Sequence, residues 1–161
     1  MKVIIAIDSF KGSLTSIEAG EATREGILQV HPDWQTDLIP IADGGEGMLS
    51  VMLNSVQGTV QTAWAHNPCM KLTPAEYGIS SDGTTAFIEM AAISGLPLIT
   101  GEQRNPMKTT SYGTGELIRD ALEKGCTRFI VGIGGSATND AGTGMLQALG
   151  FQFLDKAGNT L

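Results

Sequence analysis

Cysteine is nearly missing from this sequence: Cys69 and Cys126 are the only two in 161 residues. Neither has a partner close in sequence or the spacing of a zinc site. That excludes a disulfide framework and a structural zinc ion, and predicts reduced thiols of a cytoplasmic protein, buried rather than reactive. There are two histidines, and His31 abuts the helix-ending Pro32 while His66 lies in no catalytic pattern, so both are expected on the solvated surface. Basic residues number 10 against 17 acidic, a formal charge of −7, which repels nucleic-acid phosphates and excludes a nucleic-acid partner. No apolar run approaches the roughly 20 residues that span a bilayer, so no membrane is expected. The apolar start Val3–Ile7 closes at Asp8 without a cleavage site, which excludes a signal peptide.

Glycine is plentiful, with 21 residues, but it falls in short clusters and forms no collagen repeat. With 42% hydrophobic and 17% charged residues, the chain has material for a globular core. Val3–Ile7 reads as a strand buried on both faces of a parallel sheet. Thr15-Ser16-Ile17-Glu18 has capping-box spacing and opens a helix to Val30. Leu38–Ile41 reads as a second strand, and Gly44-Gly45-Glu46-Gly47 opens a helix to about Asn54. The order β-α-β-α begins a doubly wound sheet. From Gln57 the pattern changes: Val60–Ala65, Ala75–Ile79 and Thr85–Met90 are short strands with no helix between them, an antiparallel meander. A loop (Leu96–Ser111), a helix (Gly115–Lys124), a buried strand (Arg128–Ile133), a short helix (Gly142–Leu149) and a strand-like Phe151–Leu154 follow. Residues 1–56 are therefore expected to start a discontinuous α/β domain, with a boundary that could extend to about 83, and 57–161 to belong to a second α/β domain. The last residues follow a turn signal with nothing to return to, so the chain reads as truncated.

The chemistry is concentrated at predicted strand ends and helix starts. Asp43-Gly44-Gly45-Glu46-Gly47-Met48-Leu49 and Asp140-Ala141-Gly142-Thr143-Gly144-Met145-Leu146 share D-x-G-x-G-M-L, and Gly113-Thr114-Gly115 repeats the G-x-G core. One such turn is most often only a turn; three in a small acidic protein favour backbone N–H groups that bind an anion. No Walker or dinucleotide signature is complete. A phosphatase of D-x-D type would want an acid at Phe10, and Gly134-Gly135-Ser136 lacks the final glycine of a G-x-S-x-G elbow. Asp8 and Asp43 follow the first two strands, where α/β proteins bind ligands, and Lys11 lies three residues after Asp8. Carboxylates able to hold Mg²⁺, a lysine for phosphate and glycine-framed donors are the parts of phosphoryl transfer.

Five segments closely resemble the bacterial two-domain glycerate kinase family: Asp8-Ser9-Phe10-Lys11-Gly12-Ser13; Ala42-Asp43-Gly44-Gly45-Glu46-Gly47; Ile88-Glu89-Met90-Ala91-Ala92 with Ser94-Gly95-Leu96; Thr110-Ser111-Tyr112-Gly113-Thr114-Gly115-Glu116-Leu117; and Gly132-Ile133-Gly134-Gly135-Ser136-Ala137-Thr138-Asn139-Asp140. They cover essentially the whole chain in order and spacing. Ile7, Met48 and Ala141 stand where the family commonly has Pro, Thr and Gly. The resemblance implies the start of a flavodoxin-like parallel sheet, interrupted by a second α/β domain with antiparallel strands. It implies ATP- and Mg²⁺-dependent phosphorylation of D-glycerate, with 2-phosphoglycerate favoured over 3-phosphoglycerate. Asp43 or Asp140 would deprotonate the attacking hydroxyl, Asp8 or Glu46 would help place Mg²⁺, and Lys11 would neutralise the transferring phosphoryl. Ser9, Gly44, Gly45, Gly134, Gly135 and Ser136 would bind phosphate or substrate, with Arg104 and Lys108 as further candidates for the substrate carboxylate. Family members look more than twice as long. Residues 1–161 alone are therefore expected to lack turnover, acting as an anion-binding fragment that self-associates as a homo-oligomer; a phosphatase on a similar fold is the remaining alternative.

Overall fold

The expected capping box forms, and it sets the first helix. In this computed structural model, which describes residues 1–160, Glu18 N–H donates to Thr15 Oγ1 at 3.2 Å and Thr15 N–H donates to Glu18 Oε2 at 2.8 Å, opening α1 (Ser16–Val30). Strands β1 (Lys2–Ile5) and β2 (Gln35–Leu38) pair in parallel from Lys2 opposite Gln35 to Ile5 opposite Leu38. Helix α1 covers one face of this two-stranded sheet; Leu38 packs into the space that a side chain at Gly20 would fill. The other face is open. Ile5 is 3% exposed but Ile4 is 63% exposed, so β1 is covered on one side only, correcting the expectation of a strand buried on both. β2 also starts three residues earlier than expected and ends at Leu38, because Pro40 has no N–H for a ladder.

Helix α2 (Met48–Val56) leaves this sheet and lies on a second one, with Leu49 and Leu53 against Gly78. The second sheet contains β3 (Thr59–His66), β4 (Leu72–Ile79), β5 (Thr85–Glu89) and β6 (Arg128–Gly132), side by side in that order. The meander is present in β3-β4-β5, all antiparallel, whereas β5 and β6 are parallel. Parallel neighbours need a crossover. It is supplied by α3 (Ala91–Ser94), two 3₁₀ turns at Leu96–Leu98 and Gly101–Gln103, and α4 (Tyr112–Glu123). The core lies between α4 and the sheet: Ala65, Tyr77, Ala86, Ile88, Ile93, Leu117, Ala121 and Cys126. Small residues on β3 and at Gly113 allow the helix to approach closely; a Cβ at Gly113 would collide with His66 O. Helix α5 (Thr143–Ala148) packs on α4 through Gly115.

Two further expectations are corrected. α4 begins at Tyr112, three residues before the predicted start, where Thr110 Oγ1 accepts from Tyr112 N–H at 3.2 Å. Phe151–Leu154 forms no strand: Phe151 and Leu154 are exposed, and only an isolated bridge joins Leu154 to Thr160. Among the described residues, no helix is long and apolar enough to cross a membrane.

Candidate active site

The parallel strands β1 and β2 deliver two loops to the same edge of their sheet. In the first, Phe10 N–H donates to Leu14 O at 2.8 Å and Leu14 N–H to Phe10 O at 3.1 Å, and Asp8 Oδ1 accepts from Ser9 N–H at 2.7 Å. Ser16 Oγ fastens this loop to the second, donating to Ile7 O at 2.6 Å and accepting from Ile41 N–H at 3.1 Å. As a result Lys11 Nζ reaches Asp43 Oδ2 at 3.1 Å. Asp43 Oδ1 accepts from Gly45 N–H at 3.0 Å. The Lys11 hydrogen bond, followed by that of Gly45 N–H, holds the Asp43 carboxyl below its usual range, so it is ionised at neutral pH. Both side chains are more than half exposed, so the pair adds little stability.

The Asp43 loop then meets the turn after β6. Gly134 N–H donates to Gly44 O at 3.0 Å, and a Cβ on Gly134 would lie 2.7 Å from Gly45 Cα. Gly44, Gly47 and Gly135 take left-handed φ values of +87°, +90° and +71°, which is why glycine is suited to these positions. Two cavities flank the junction. One of about 530 Å³ is bounded by the Ser9–Glu18 loop, Ile41, Glu46, Gly47 and Ser50. The other, about 410 Å³, has Lys11, Gly45, Glu46, Glu89 and Gly135 facing an apolar wall of Ala91, Ala92 and Leu96–Leu98. Lys11 and Glu46 line both.

Ser9, Lys11, Asp43, Gly44, Gly45, Glu46, Gly134 and Gly135 are thus brought together, with Asp8 heading the first loop and Ser136 in the turn, where its Oγ lies 3.0 Å from Thr138 Oγ1. Asp140, Arg104 and Lys108 are engaged elsewhere. The Asp140 carboxylate accepts from Ser111 N–H (2.8 Å), Ser111 Oγ (2.9 Å), Thr110 Oγ1 (3.3 Å), Gly142 N–H (3.1 Å) and Gly144 N–H (3.2 Å), tying the start of α4 to that of α5. Burial opposes its ionisation, but these hydrogen bonds prevail and hold its pKa below the usual range. Its acceptor capacity is filled. Arg104 Nε points to Ile99 O at 3.5 Å, and Lys108 lines a third cavity with Cys69, Met70 and Glu102.

Among the described residues no three His, Cys, Asp or Glu side chains gather as a metal site. The donors present are carboxylates, exposed at Asp43 and Glu46 and half-buried at Asp8, which suit Mg²⁺ shared with phosphate oxygens and not an all-protein cage. The left-handed glycine turns and Lys11 likewise suit a phosphate chain.

Two groups escaped the sequence reading. His66 is not a free surface residue: its N–H donates to Glu116 Oε2 at 2.7 Å, its Nδ1 lies 3.0 Å from both carboxylate oxygens, and its ring meets Tyr112 edge-on at 5.8 Å. His31, by contrast, stacks on Trp34 with ring centres 3.8 Å apart. The other is Glu89, half-buried at the end of β5, whose Oε1 accepts from Leu49 N–H at 2.6 Å. Burial pushes its pKa up. An acid closing a buried strand was the available signal, the same one that marks Asp8. Both cysteines are free thiols, and burial pushes that of Cys126 up.

A family model described as the glycerate kinase family matches residues 3–161. The chain is 52% identical over 161 residues to "Glycerate 2-kinase" of Escherichia coli K12, covering all of this chain and 42% of that protein. It is 48% identical over 161 residues to "Glycerate kinase" of Bacillus subtilis 168, again covering 100% and 42%. A Salmonella typhimurium LT2 crystal structure carrying a glycerate kinase 2 designation superposes with a TM-score of 0.83 at 47% identity, over 100% of this chain and 43% of that one. The chain therefore spans about two fifths of the length of these relatives.

Proposed function

The chain belongs to the glycerate kinase family, and from that premise we propose that its Asp43–Lys11 cleft serves ATP-dependent phosphorylation of D-glycerate, with the 2-hydroxyl as acceptor. The observation that carries this reading is the Lys11–Asp43 pair, 3.1 Å apart at the ligand-binding edge of a parallel sheet and beside two cavities. Asp43, ionised and held by one N–H, is available to orient the attacking hydroxyl and take its proton. Asp140 has no such freedom, so the base is assigned to Asp43 and Asp140 is given the task of holding α4 and α5. Lys11 offers a point charge to the transferring phosphoryl, and within the Gly134–Ser136 turn, whose Gly134 N–H is taken by Gly44 O, the Gly135 and Ser136 N–H groups are offered to phosphate or to the substrate carboxylate. Arg104 and Lys108 are left out of the cleft. Glu46 and Asp8 would hold Mg²⁺, which when bound neutralises charge on the nucleotide phosphates. The choice of the 2-hydroxyl draws on the likeness to the Escherichia coli glycerate 2-kinase.

The test is glycerate-dependent ADP release from Mg·ATP, with the product identified by phosphorus–proton coupling in NMR. In a protein of its relatives' full length the expected product is 2-phosphoglycerate, and Asp43→Asn there is expected to lower kcat by about 100-fold or more, whereas residues 1–161 alone are expected to lack turnover. A second reading, an anion-binding unit that binds nucleotide without turnover and self-associates into a homo-oligomer, draws on the open sheet face at Ile4. It predicts Mg·ATP binding by calorimetry, a mass above the monomer in light scattering, and no ADP release.

A further inference from the structure

Helix α2 lacks a cap of its own. Its N-cap position is Gly47, in the left-handed region at φ +90°, with no side chain to accept an N–H, and its first turn contains no acid. Such a helix start leaves unsatisfied donors. The acceptor comes instead from the other sheet: Glu89, 40 residues away, closes β5 and accepts from Leu49 N–H, the second residue of α2, at 2.6 Å. Glu89 is in register with Gly132 on β6, and Gly132 begins the turn whose Gly134 N–H donates to Gly44 O. The Asp43–Gly47 loop is therefore held at both ends by the second sheet, by Gly134 at its start and by Glu89 just past its finish. The same carboxylate lines the 410 Å³ cavity with Lys11, Gly45 and Glu46.

We infer that Glu89 is a positioning residue for the phosphoryl-transfer site, acting as an acceptor borne by the second sheet that caps α2 and fixes the loop bearing Asp43 and Glu46 against the Gly132–Ser136 turn. This rests on the kinase reading for its functional meaning, but its geometry can be tested without turnover. A charge-assisted bond to a helix-start N–H holds the loop more firmly than a neutral one, and an amide acceptor in the same place keeps the geometry.

The experiment is residue-resolved hydrogen exchange by NMR on the 161-residue chain with Glu89→Ala and Glu89→Gln. In Glu89→Ala, the amide of Leu49 is expected to exchange at least about tenfold faster. Those of Gly45 and Gly134 are expected to quicken with it, while the amides of Leu117, Ala65 and Ile88 keep their rates. Glu89→Gln is expected to restore most of the protection. Unchanged exchange at Leu49, or an equal acceleration across the whole core, overturns the inference, the second outcome meaning a general loss of stability. Acceleration at Leu49 alone, with Gly45 and Gly134 unmoved, also overturns it, since the cap would then not reach the loop. Failure of the kinase reading registers separately, as no glycerate-dependent ADP release from a protein of its relatives' full length carrying these residues unsubstituted.

Discussion

Replacing Gly134 with alanine should force apart the two glycine turns on which the cleft is built. The new Cβ would sit 2.7 Å from Gly45 Cα, 3.0 Å from Gly45 N and 3.2 Å from Gly44 O, against the roughly 3.5–4.0 Å at which carbon atoms rest. All three atoms are backbone, so no side-chain rotation relieves the overlap, and the Asp43 loop must retreat by about 1 Å. The 3.0 Å bond from Gly134 N–H to Gly44 O then stretches beyond useful length. Overpacking costs about 1–3 kcal/mol, and loss of one backbone bond about 1 kcal/mol. Removing a glycine from the unfolded chain returns about 0.4–1 kcal/mol. The net expectation is a destabilisation of about 1–3 kcal/mol. Urea unfolding followed by the fluorescence of Trp34 and Trp64 reads this as a lower midpoint at unchanged m. The control is Gly26→Ala, in the interior of α1 with nothing within 4 Å of the added Cβ, where about 0.5–1 kcal/mol of stabilisation is expected. A midpoint for Gly134→Ala equal to or above that of the unsubstituted protein would refute the close apposition of the turns.

Ala141 lies in the left-handed region at φ +52°, at the position where the family commonly has glycine. Ala141→Gly is therefore expected to stabilise by about 1 kcal/mol, read as a raised midpoint in the same urea assay, and a lowered midpoint would contradict strain there. Tyr77 OH donates to Asp120 Oδ2 at 2.6 Å, and burial pushes its pKa up to about 12. The folded state thus keeps a proton that the unfolded state loses near pH 10, so this contribution is complete below about pH 10 and disappears as pH rises to about 12. Tyr77→Phe should flatten the decline in stability over that alkaline range, measured by urea unfolding at stepped pH; an unchanged slope would remove Tyr77 from it.

Local chemistry was readable from the sequence, and distant pairing was not. Thr15 and Glu18 lie three residues apart and cap α1 as their spacing dictates. Lys11 and Asp43 were both marked because each follows a strand, and parallel pairing of β1 with β2 brings their loops to one edge. Asp43 and Asp140 look equivalent in a shared D-x-G-x-G-M-L string, yet they differ in what packs behind them. Asp43 accepts one N–H and faces Lys11, whereas Asp140 is met by Ser111 and Thr110, some thirty residues earlier in the chain. Glu89 stood in one of the quoted segments and closed a strand, but its role was hidden for the same reason: its partner Leu49 lies across a sheet-to-helix contact that no local pattern encodes. Burial was misjudged at Ile4, because the continuous apolar run Val3–Ile7 reads as a strand covered on both faces while only the Ile5 face is covered among these residues.

Lys11 and Glu46 form the partition between two chambers, and that has a thermodynamic corollary. With its side chain 69% exposed and a single carboxylate partner, Lys11 is free to swing toward an anion on either side. One cation then serves two compartments. An anion that draws Lys11 into the larger chamber deprives the smaller one of its positive charge, and the reverse holds with the same factor, since coupling between two binding sites is reciprocal. Two anions of like charge should therefore antagonise each other across this wall. A cation bound at Glu46 would relax the conflict, making joint occupancy dependent on a third, positively charged participant.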